Sequence, residues 1–261
     1  MISRTDAIVL HARRFRESSK IVTLYTRQYG KISVVAKGVM QPRKTVAALL
    51  QPMAVVSAVI YMKDGRELQN LSTTEPLERY GRIAESLERM SAGLAIVELV
   101  NATMHHQDPN DELYETIVHA LRALNSDGDE RTVLLWFMTR LANVLGYTIR
   151  TEGCGVCDED VAVETHEVAY SIPMGAPLCA EHRESSGYWP MSSDSFELLD
   201  RLQQVSAADA ADIAVEAKVT TALHDALVAF VRYHVEGLRR LNVEMVMGKV
   251  LRPISDGQAT G

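Results

Sequence analysis

The sequence has 261 residues, 47% of them hydrophobic and 23% charged, and its formal net charge is −7 at pH 7. This composition is ordinary for a soluble globular protein. No apolar run reaches the roughly 20 residues that span a bilayer, and the first residues turn charged too early for a signal peptide. These features argue against a membrane-spanning helix and a leader, and we expect a cytoplasmic protein.

The two parts of the chain carry charge of opposite sign. Residues 1–80 contain 13 Lys and Arg against 6 Asp and Glu, a net charge of +7, whereas residues 81–261 contain 14 against 28, a net charge of −14. A basic segment joined to an acidic one predicts that only the first binds a polyanion such as a nucleic acid.

The first 75 residues predict five short strands. Residues 7–12 form an entry strand, residues 20–38 a hairpin that turns at Gly30, residues 49–62 a β-branched strand and residues 68–74 a fifth strand. The intervals are too short for the helical crossovers of a parallel sheet. The strands therefore predict a small antiparallel barrel, and the OB-fold is the five-stranded version.

Three side chains share one face of the first hairpin strand, because side chains alternate across a strand. They are Tyr25, Arg27 and Tyr29. In one interpretation the tyrosines are core aromatics beneath a solvated charged surface. In the other they are stacking platforms for single-stranded nucleic acid, whose phosphates the cluster Arg13, Arg14, Arg16 and Lys20 would contact. Alternation alone favours the first interpretation of the tyrosines.

From about residue 76 the hydrophobic period becomes helical. Apolar residues recur at three- to four-residue steps around 90–104, 111–125, 130–146 and 219–238. Asp108 and Pro109 have the pattern of an N-cap followed by proline at the first helical position. The apolar stripes predict core-forming faces of a helical domain.

The three cysteines and one histidine form the most specific motif. Cys154 and Cys157 are separated by two residues, and Cys179 and His182 repeat that spacing 21 residues later. Two such pairs can bring four ligands to a tetrahedral zinc, and a full set of protein ligands makes the site structural rather than catalytic. His166 is a competing ligand without the paired spacing.

Two enzyme classes fit the sequence less well. Residues 38–45 approximate a phosphate-binding loop, but Arg43 replaces its second glycine, Pro42 removes a backbone N–H, and little room for a helix remains before Pro52. A zinc deaminase would need a histidine and glutamate around an open metal, and the nearest approximations have the wrong spacing. A zinc-stabilised nucleotide-binding enzyme that uses the loop from Gly38 to Thr45 remains the alternative.

Together, these features resemble the RecO family of bacterial DNA repair proteins. The resemblance rests on the opening AIVLHARRFRESSKIVTLYTRQYGKISVVAKG, on LLQPM at 49–53, on the helical middle and on the cysteine and histidine set. It implies an α+β chain with an OB-fold domain at 1–80, a helical domain at 81–150 and 186–252, a zinc-binding module at 151–185 and a disordered tail at 253–261.

The resemblance also implies a function without bond-making catalysis. RecO-like proteins bind single- and double-stranded DNA, anneal complementary strands and, with RecR, help to load the recombinase RecA onto strands coated by the single-stranded-DNA-binding protein SSB. Such a protein would act in the cytoplasm, associated with the nucleoid. The predicted DNA-binding residues are Arg13, Arg14, Arg16, Lys20, Arg27, Lys37, Arg43 and Lys44. For the acidic C-terminal tail of SSB, Arg232, Arg239 and Arg240 are contacts to consider, against the alternative of an ordinary solvated face.

Overall fold

A computed structural model of the chain describes residues 1–41, 46–161, 167–183 and 187–235. The chain divides into two compact units, Met1–Asn125 and Ser126–Gly261. None of the described helices is both long enough and apolar enough to cross a membrane.

Five strands of the first unit close into a barrel. They are β1 Ile2–Phe15, β2 Ser19–Thr26, β3 Gly30–Ala36, β4 Val55–Tyr61 and β5 Leu68–Glu78. Their order around the barrel is β1-β2-β3-β5-β4, with β3 and β5 parallel and the other neighbours antiparallel. The predicted five-stranded, OB-like barrel is thereby confirmed.

Alternating side chains fill the barrel. Four aliphatic residues at even positions of β2 and β3 are fully buried and pack against inward residues of β1 and β4: Val22, Leu24, Ile32 and Val34. Each such aliphatic side chain contributes about 1.5–3 kcal/mol when it leaves water.

An irregularity in β1 changes which side chains face outward. The register between β1 and β2 shifts between Val9 and His11, as a β-bulge does. Beyond the shift, Ala12 lies opposite Val22 and packs on the core, while Arg13 lies opposite Ile21 on the outer face. The bulge therefore lets one strand line the core and present cations at its end.

The predicted strands have other bounds in the structure: β1 and β5 extend beyond the predicted 7–12 and 68–74, and two further strands are shorter than predicted. Residues 46–49 form a short helical turn, α1 Val46–Leu49, so the strand predicted at 49–62 begins only at Val55. The first hairpin strand ends at Thr26, and Arg27 to Tyr29 belong to the turn that Gly30, with φ of +60°, completes.

Helices complete the first unit. A 3₁₀ turn, Arg82–Glu85, precedes α2 Leu87–Thr103 and α3 Asp111–Leu124. The sequence pattern predicts the N-cap of α3 at Asp108, and this prediction is wrong by two residues. Asn110, not Asp108, caps α3, because its side chain accepts a hydrogen bond from the Leu113 N–H at 2.9 Å. Pro109 consequently lies before the cap and outside the helix.

In the part of the second unit that the structure describes, four helices combine with a small sheet. The helices are α4 Glu130–Val144, α5 Ser193–Gln204, α6 Ala207–Ala211 and α7 Ala217–His234. The strands are β6 Glu167–Ser171, β7 Ala176–Pro177 and β8 Trp189–Ser192, in the order β7-β6-β8. The tail predicted at 253–261 lies outside the described residues.

Candidate metal centre and nucleic-acid interface

The first pair of predicted ligands lies in a tight turn of the second unit. The Cys154 carbonyl accepts a hydrogen bond from the Asp158 N–H at 2.9 Å, and the Cys154 N–H donates to the Glu159 carbonyl at 2.7 Å. Gly153 and Asp158 flank the turn in the left-handed region, with φ of +64° and +62°. These bonds orient the Cys154 and Cys157 side chains toward the same point.

The second pair follows β7 and forms a similar turn. The Cys179 carbonyl accepts hydrogen bonds from the N–H groups of His182 and Arg183, both at 3.1 Å. The Gly155 N–H donates to the Pro177 carbonyl at 2.8 Å, which ties the first turn to the strand that leads into the second. The backbone therefore ties the two turns together, and the Cys179 N–H, which donates to Cys154 Sγ at 3.4 Å, adds a link through a side chain.

The four ligand atoms meet in one cluster. The three sulfurs and the imidazole nitrogen all lie within 4.8 Å of one another. Two of the separations are 3.8 Å, from Cys157 Sγ to Cys179 Sγ and from Cys154 Sγ to His182 Nδ1. Zinc-sulfur bonds of about 2.3 Å in a tetrahedron place ligands about 3.8 Å apart. The cluster could therefore hold a metal ion, and this donor set fits zinc.

Hydrogen bonds to sulfur make the cluster suited to a cation. Burial raises the pKa of the Cys154 thiol, but the N–H groups of Cys157, Cys179 and Val156 outweigh burial and lower the pKa to about 6. The Glu159 N–H lowers the pKa of Cys157, but burial and the sulfurs of Cys154 and Cys179 raise it to about 11. The Cys154 and Cys157 thiols thus compete for one negative charge, and a bound dication would stabilise both as thiolates.

The surroundings indicate a structural centre. Cys154 is fully buried with Leu178 and Ala169 in a small apolar core, whereas Cys157 is exposed. With four protein donors around one point, no coordination position is left for substrate. His166, the competing ligand, lies outside the described residues.

Five of the predicted DNA-binding residues lie at one end of the barrel, here called the basic end. They are Arg13, Arg14, Arg16, Lys20 and Lys37. The strand register brings them together, because Arg14 pairs with Lys20 and Lys20 pairs with Ala36, directly before Lys37. A hydrogen bond of 3.0 Å from the Met40 N–H to the Ser18 carbonyl joins the two turns at this end.

The basic end is largely open to solvent. Arg13, Arg14, Arg16 and Lys37 are exposed, and the Arg16 guanidinium lies 5.2 Å from the centre of the half-buried Phe15 ring. Lys20 differs, because its ammonium donates to the carbonyls of Ala47 and Leu50 at 3.1 and 3.2 Å. Lys20 therefore also stabilises the chain around α1. Arg43 and Lys44 lie outside the described residues.

Arg27 lies away from the basic end, beside α3. Its guanidinium forms ion pairs with Asp111, at 3.2 Å, and with Glu115, and lies 4.6 Å from the centre of the Tyr114 ring. These contacts already compensate its charge within the first unit. A DNA contact by Arg27 stays a prediction.

The tyrosines of the predicted stacking face have internal contacts. Tyr25 is completely buried, and the Tyr29 hydroxyl lies 2.5 Å from Ser3 Oγ. The core interpretation therefore holds for Tyr25, because a base cannot stack on a buried ring. His11, which no sequence motif indicated, is exposed on the outer face opposite Thr23 and two residues before Arg13. The two-residue spacing of His11 and Arg13 predicts that both lie on one face of the strand. The sequence does not show the β-bulge that turns this face outward.

Comparisons with known proteins point to one family. The model of the recombination protein O N terminal matches residues 1–80, and that of the recombination protein O C terminal matches residues 84–242. A protein of Salinibacter ruber named DNA repair protein RecO is 41% identical over 147 residues. The match covers 56% of this chain and 56% of the relative, so this chain spans little more than half of that relative's length. Proteins of the same name from Rhodopirellula baltica and Chloroherpeton thalassium are 29% and 27% identical, with 77% and 91% of this chain and 74% and 95% of the relatives covered.

Proposed function

The chain belongs to the recombination protein O family of DNA repair proteins, and from this premise we propose that it binds single- and double-stranded DNA and anneals complementary strands. We further propose that, with RecR, it helps to load the recombinase RecA onto strands coated by SSB. The coarser assignment, a role in DNA repair and recombination, follows from the family itself. The finer steps need a physical argument from the residues.

The observation that supports DNA binding is the basic end. Its four exposed cations lie within adjoining turns and strand ends, so they can contact consecutive phosphates. Each phosphate contact releases condensed counterions, which supplies most of the affinity for nucleic acid regardless of sequence. Such a surface also lowers the repulsion between two complementary strands. Annealing of this kind requires no nucleotide hydrolysis.

The metal centre has a structural part in this proposal. Cys154, Cys157, Cys179 and His182 would hold zinc, which would supply cross-linking of two turns and no reaction chemistry. The apolar core beneath these four residues is small, so it would hold the two turns only weakly without the ion. We therefore propose that zinc stabilises the segment from 151 to 185 in the folded state.

Protein partners would contact the acidic part of the chain. Residues 81–261 carry a net charge of −14, so this part is a poor binding surface for DNA. Contacts to RecR are proposed for this part. Arg232, exposed in the last turn of α7, is proposed as a contact for the acidic SSB tail, while Arg239 and Arg240 lie outside the described residues.

The nucleotide-binding alternative has weak support. A phosphate-binding loop needs a helix whose N-terminus faces the phosphates, and α1 after the Gly38 loop has only four residues. Arg43 and Lys44 of that loop lie outside the described residues. The annealing experiment is therefore designed so that its ATP dependence tests this alternative.

Annealing of complementary oligonucleotides tests the proposal. The strands are used bare and SSB-coated, with and without ATP, and annealing is followed by fluorescence quenching. We expect the protein to accelerate annealing with or without ATP. This acceleration should be lost when Arg13, Arg14 and Arg16 are changed to glutamate. Strict ATP dependence would favour the nucleotide-binding alternative. Binding without any annealing would limit the function to DNA binding.

A further inference from the structure

Two sulfurs of the candidate metal centre are open to solvent, and the third is not. Cys157 is exposed and Cys179 is partly exposed, whereas Cys154 is completely buried. The Cys154 sulfur also accepts the Cys179 N–H at 3.4 Å, which holds it inside the module. A dissolved reagent therefore reaches Cys157 most easily and Cys154 least easily.

The two open sulfurs face each other across the two turns. Cys157 Sγ lies 3.8 Å from Cys179 Sγ. A disulfide bond is about 2.05 Å long, so the sulfurs would have to approach by about 1.8 Å, a distance that rotation about the two Cα–Cβ bonds can cover. The hydrogen bond of 2.8 Å from the Gly155 N–H to the Pro177 carbonyl already holds the turns together. The pair is therefore placed for a disulfide that joins the turns.

The charges around Cys157 select among oxidants. Residues 150–161 and 167–183 contain six Asp and Glu against two Arg, a net charge of −4. The carboxylate of Glu159 lies closest to the open sulfur, with Oε2 at 3.8 Å from Cys157 Sγ. Negative charge at this distance repels anionic oxidants such as glutathione disulfide and does not repel neutral ones. A small neutral hydroperoxide is therefore the oxidant that fits.

We propose that Cys157 and Cys179 form a site of reversible oxidation, at which a small hydroperoxide exchanges the metal cross-link for a disulfide. The inference rests on the proposed zinc centre, whose cysteine ligands are thiolates and hence nucleophiles. After oxidation only Cys154 and His182 remain as ligands. Two ligands are too few to retain the ion, which is released to solvent.

The oxidation takes place in two steps. In the first, the Cys157 sulfur bonds to one oxygen of hydrogen peroxide, the O–O bond breaks, and the departing hydroxide takes a proton from solvent to become water. In the second, the Cys179 thiolate attacks the sulfur of the sulfenic acid so formed, the S–O bond breaks, and the second hydroxide also becomes water. The two sulfurs together lose two electrons, and the two peroxide oxygens gain them.

The choice of Cys179 as the second cysteine has a structural consequence. A disulfide between Cys157 and Cys179 joins the same two turns that the metal would cross-link. A disulfide between Cys154 and Cys157 would lie within one turn and would leave the second turn free. Oxidised protein therefore keeps a cross-linked module, and a dithiol reductant with added zinc restores the metal centre.

The test uses the full chain as purified, with hydrogen peroxide as the oxidant. Zinc release is followed with a chelating dye, and the remaining free thiols are alkylated in denaturant before digestion by a protease that cleaves after acidic residues. Cleavage after Glu167 separates Cys179 from the other two cysteines, which stay together between Glu152 and Asp158. We expect two peptides joined by a disulfide, with the alkyl group on Cys154 and one zinc released per disulfide.

A matched pair of variants tests the selection of a neutral oxidant. Glu159→Gln should speed the reaction with glutathione disulfide about threefold more than the reaction with hydrogen peroxide, the weight of one charge about 6 Å away in water. Glu197→Gln, at an exposed position of α5, changes the net charge equally and should alter neither rate. Equal acceleration of both oxidants by Glu159→Gln would contradict this selection.

Two further measurements test the order of the steps and the cross-link. Cys179→Ser should stop the oxidation at the sulfenic acid of Cys157, which a cyclic diketone traps. Because this variant also lacks a zinc ligand, the wild-type chain supplies the second measurement. Its oxidised form should melt at a higher temperature than its reduced form in the presence of a chelator, since only the former keeps the turns linked.

Several outcomes would overturn the proposal. They are a disulfide that contains Cys154, zinc release without any disulfide, oxidation confined to the exposed Met174, and oxidised protein that melts no higher than the chelated form. Absence of zinc before oxidation would contradict the zinc proposal alone, because the disulfide is identified from the peptides and not from the metal.

Discussion

The Tyr25 hydroxyl is bonded to both backbone polar groups of Asn110. It accepts from the Asn110 N–H at 3.1 Å and donates to the Asn110 carbonyl at 3.4 Å. Tyr25 lies on the outer face of β2, and Asn110 caps α3, so the pair joins the barrel to a helix of the same unit. Burial raises the pKa of Tyr25 to about 12, so the phenol stays neutral and can donate at physiological pH.

Replacing Tyr25 with phenylalanine should destabilise the first unit. The change leaves the N–H and carbonyl of Asn110 without their partner, which costs about 1–3 kcal/mol of unfolding free energy. Tyr29→Phe is the control, because the Tyr29 hydroxyl and Ser3 are partly exposed and can turn to water. Urea unfolding of both variants measures the difference. Equal losses would contradict a special role for the Tyr25 bond.

The Tyr25 contact illustrates what sequence alone could and could not predict. Alternation identified the faces of β2 and the barrel core, because the period of a strand is fixed by its backbone. It could not show that a distant segment covers the outer face at Tyr25, since that depends on long-range packing. The α3 cap was misplaced for a local reason: Asp108 and Asn110 are both good caps, and only the folded chain selects between them.

The two candidate sites differ in the same way. The clustering of the four candidate ligands could be predicted, because ligand spacing within a turn is a local property. A metal bound there stays a prediction. The basic end depends on strand register, on the bulge before His11 and on where Arg27 finds acidic partners. The charge excess indicated a basic surface but not which cations share it.

The metal centre predicts one zinc per chain. Elemental analysis of untagged protein should give a stoichiometry near one, and Cys154→Ser should abolish it, because the buried sulfur is the donor that the surrounding N–H groups orient. His182→Ala should lower zinc affinity strongly, whereas His166→Ala is the matched control and should not. Loss of zinc in the His166 variant and its retention in the His182 variant would show that His166, and not His182, is the fourth ligand.

Removal of the metal should destabilise the second unit. Zinc binding contributes to folding, because the unfolded chain has no preformed site. A chelator should therefore lower the melting temperature and expose Cys157 and Cys179 to thiol reagents first, since Cys154 is fully buried. An unchanged melting curve after verified zinc removal would contradict a structural role.

DNA affinity should depend steeply on salt through the basic end. Neutral substitution of Arg13, Arg14 and Arg16 by glutamine should reduce the slope of log affinity against log salt by about 2 on single strands, since each contact contributes about 0.7. The matched control replaces three exposed cations at the opposite end of the barrel: Arg4, Lys63 and Arg66. Fluorescence anisotropy over a salt series measures both slopes. Equal reductions would mean that net charge, and not the basic end, determines binding.

The ion pair of Glu78 should make stability depend on pH. The Arg122 guanidinium holds the pKa of the Glu78 carboxyl below its usual value of 4.5. A lowered carboxyl pKa stabilises the folded state above the unfolded pKa, and this stabilisation is lost as pH falls below about 4.5. Glu78→Gln should therefore cost up to about 1 kcal/mol at pH 7, because Arg122 is half exposed, and much less at pH 3. Urea unfolding at both pH values tests this, and an equal cost at both would contradict it.

Gly30 should tolerate alanine much less well than Gly65. Both glycines have a left-handed backbone, with φ of +60° and +72°, so alanine meets a similar strain of about 1–2 kcal/mol at each. A Cβ at Gly30 would overlap the backbone of Asp108, whereas a Cβ at Gly65 would meet no atom within 4 Å. We expect Gly65→Ala to cost about 1 kcal/mol and Gly30→Ala about 2–4 kcal/mol, strain plus overpacking. Because the comparison holds backbone strain nearly constant, the difference in urea unfolding measures how closely the β2 to β3 turn packs on the chain before α3, and equal costs would mean that Asp108 can move aside.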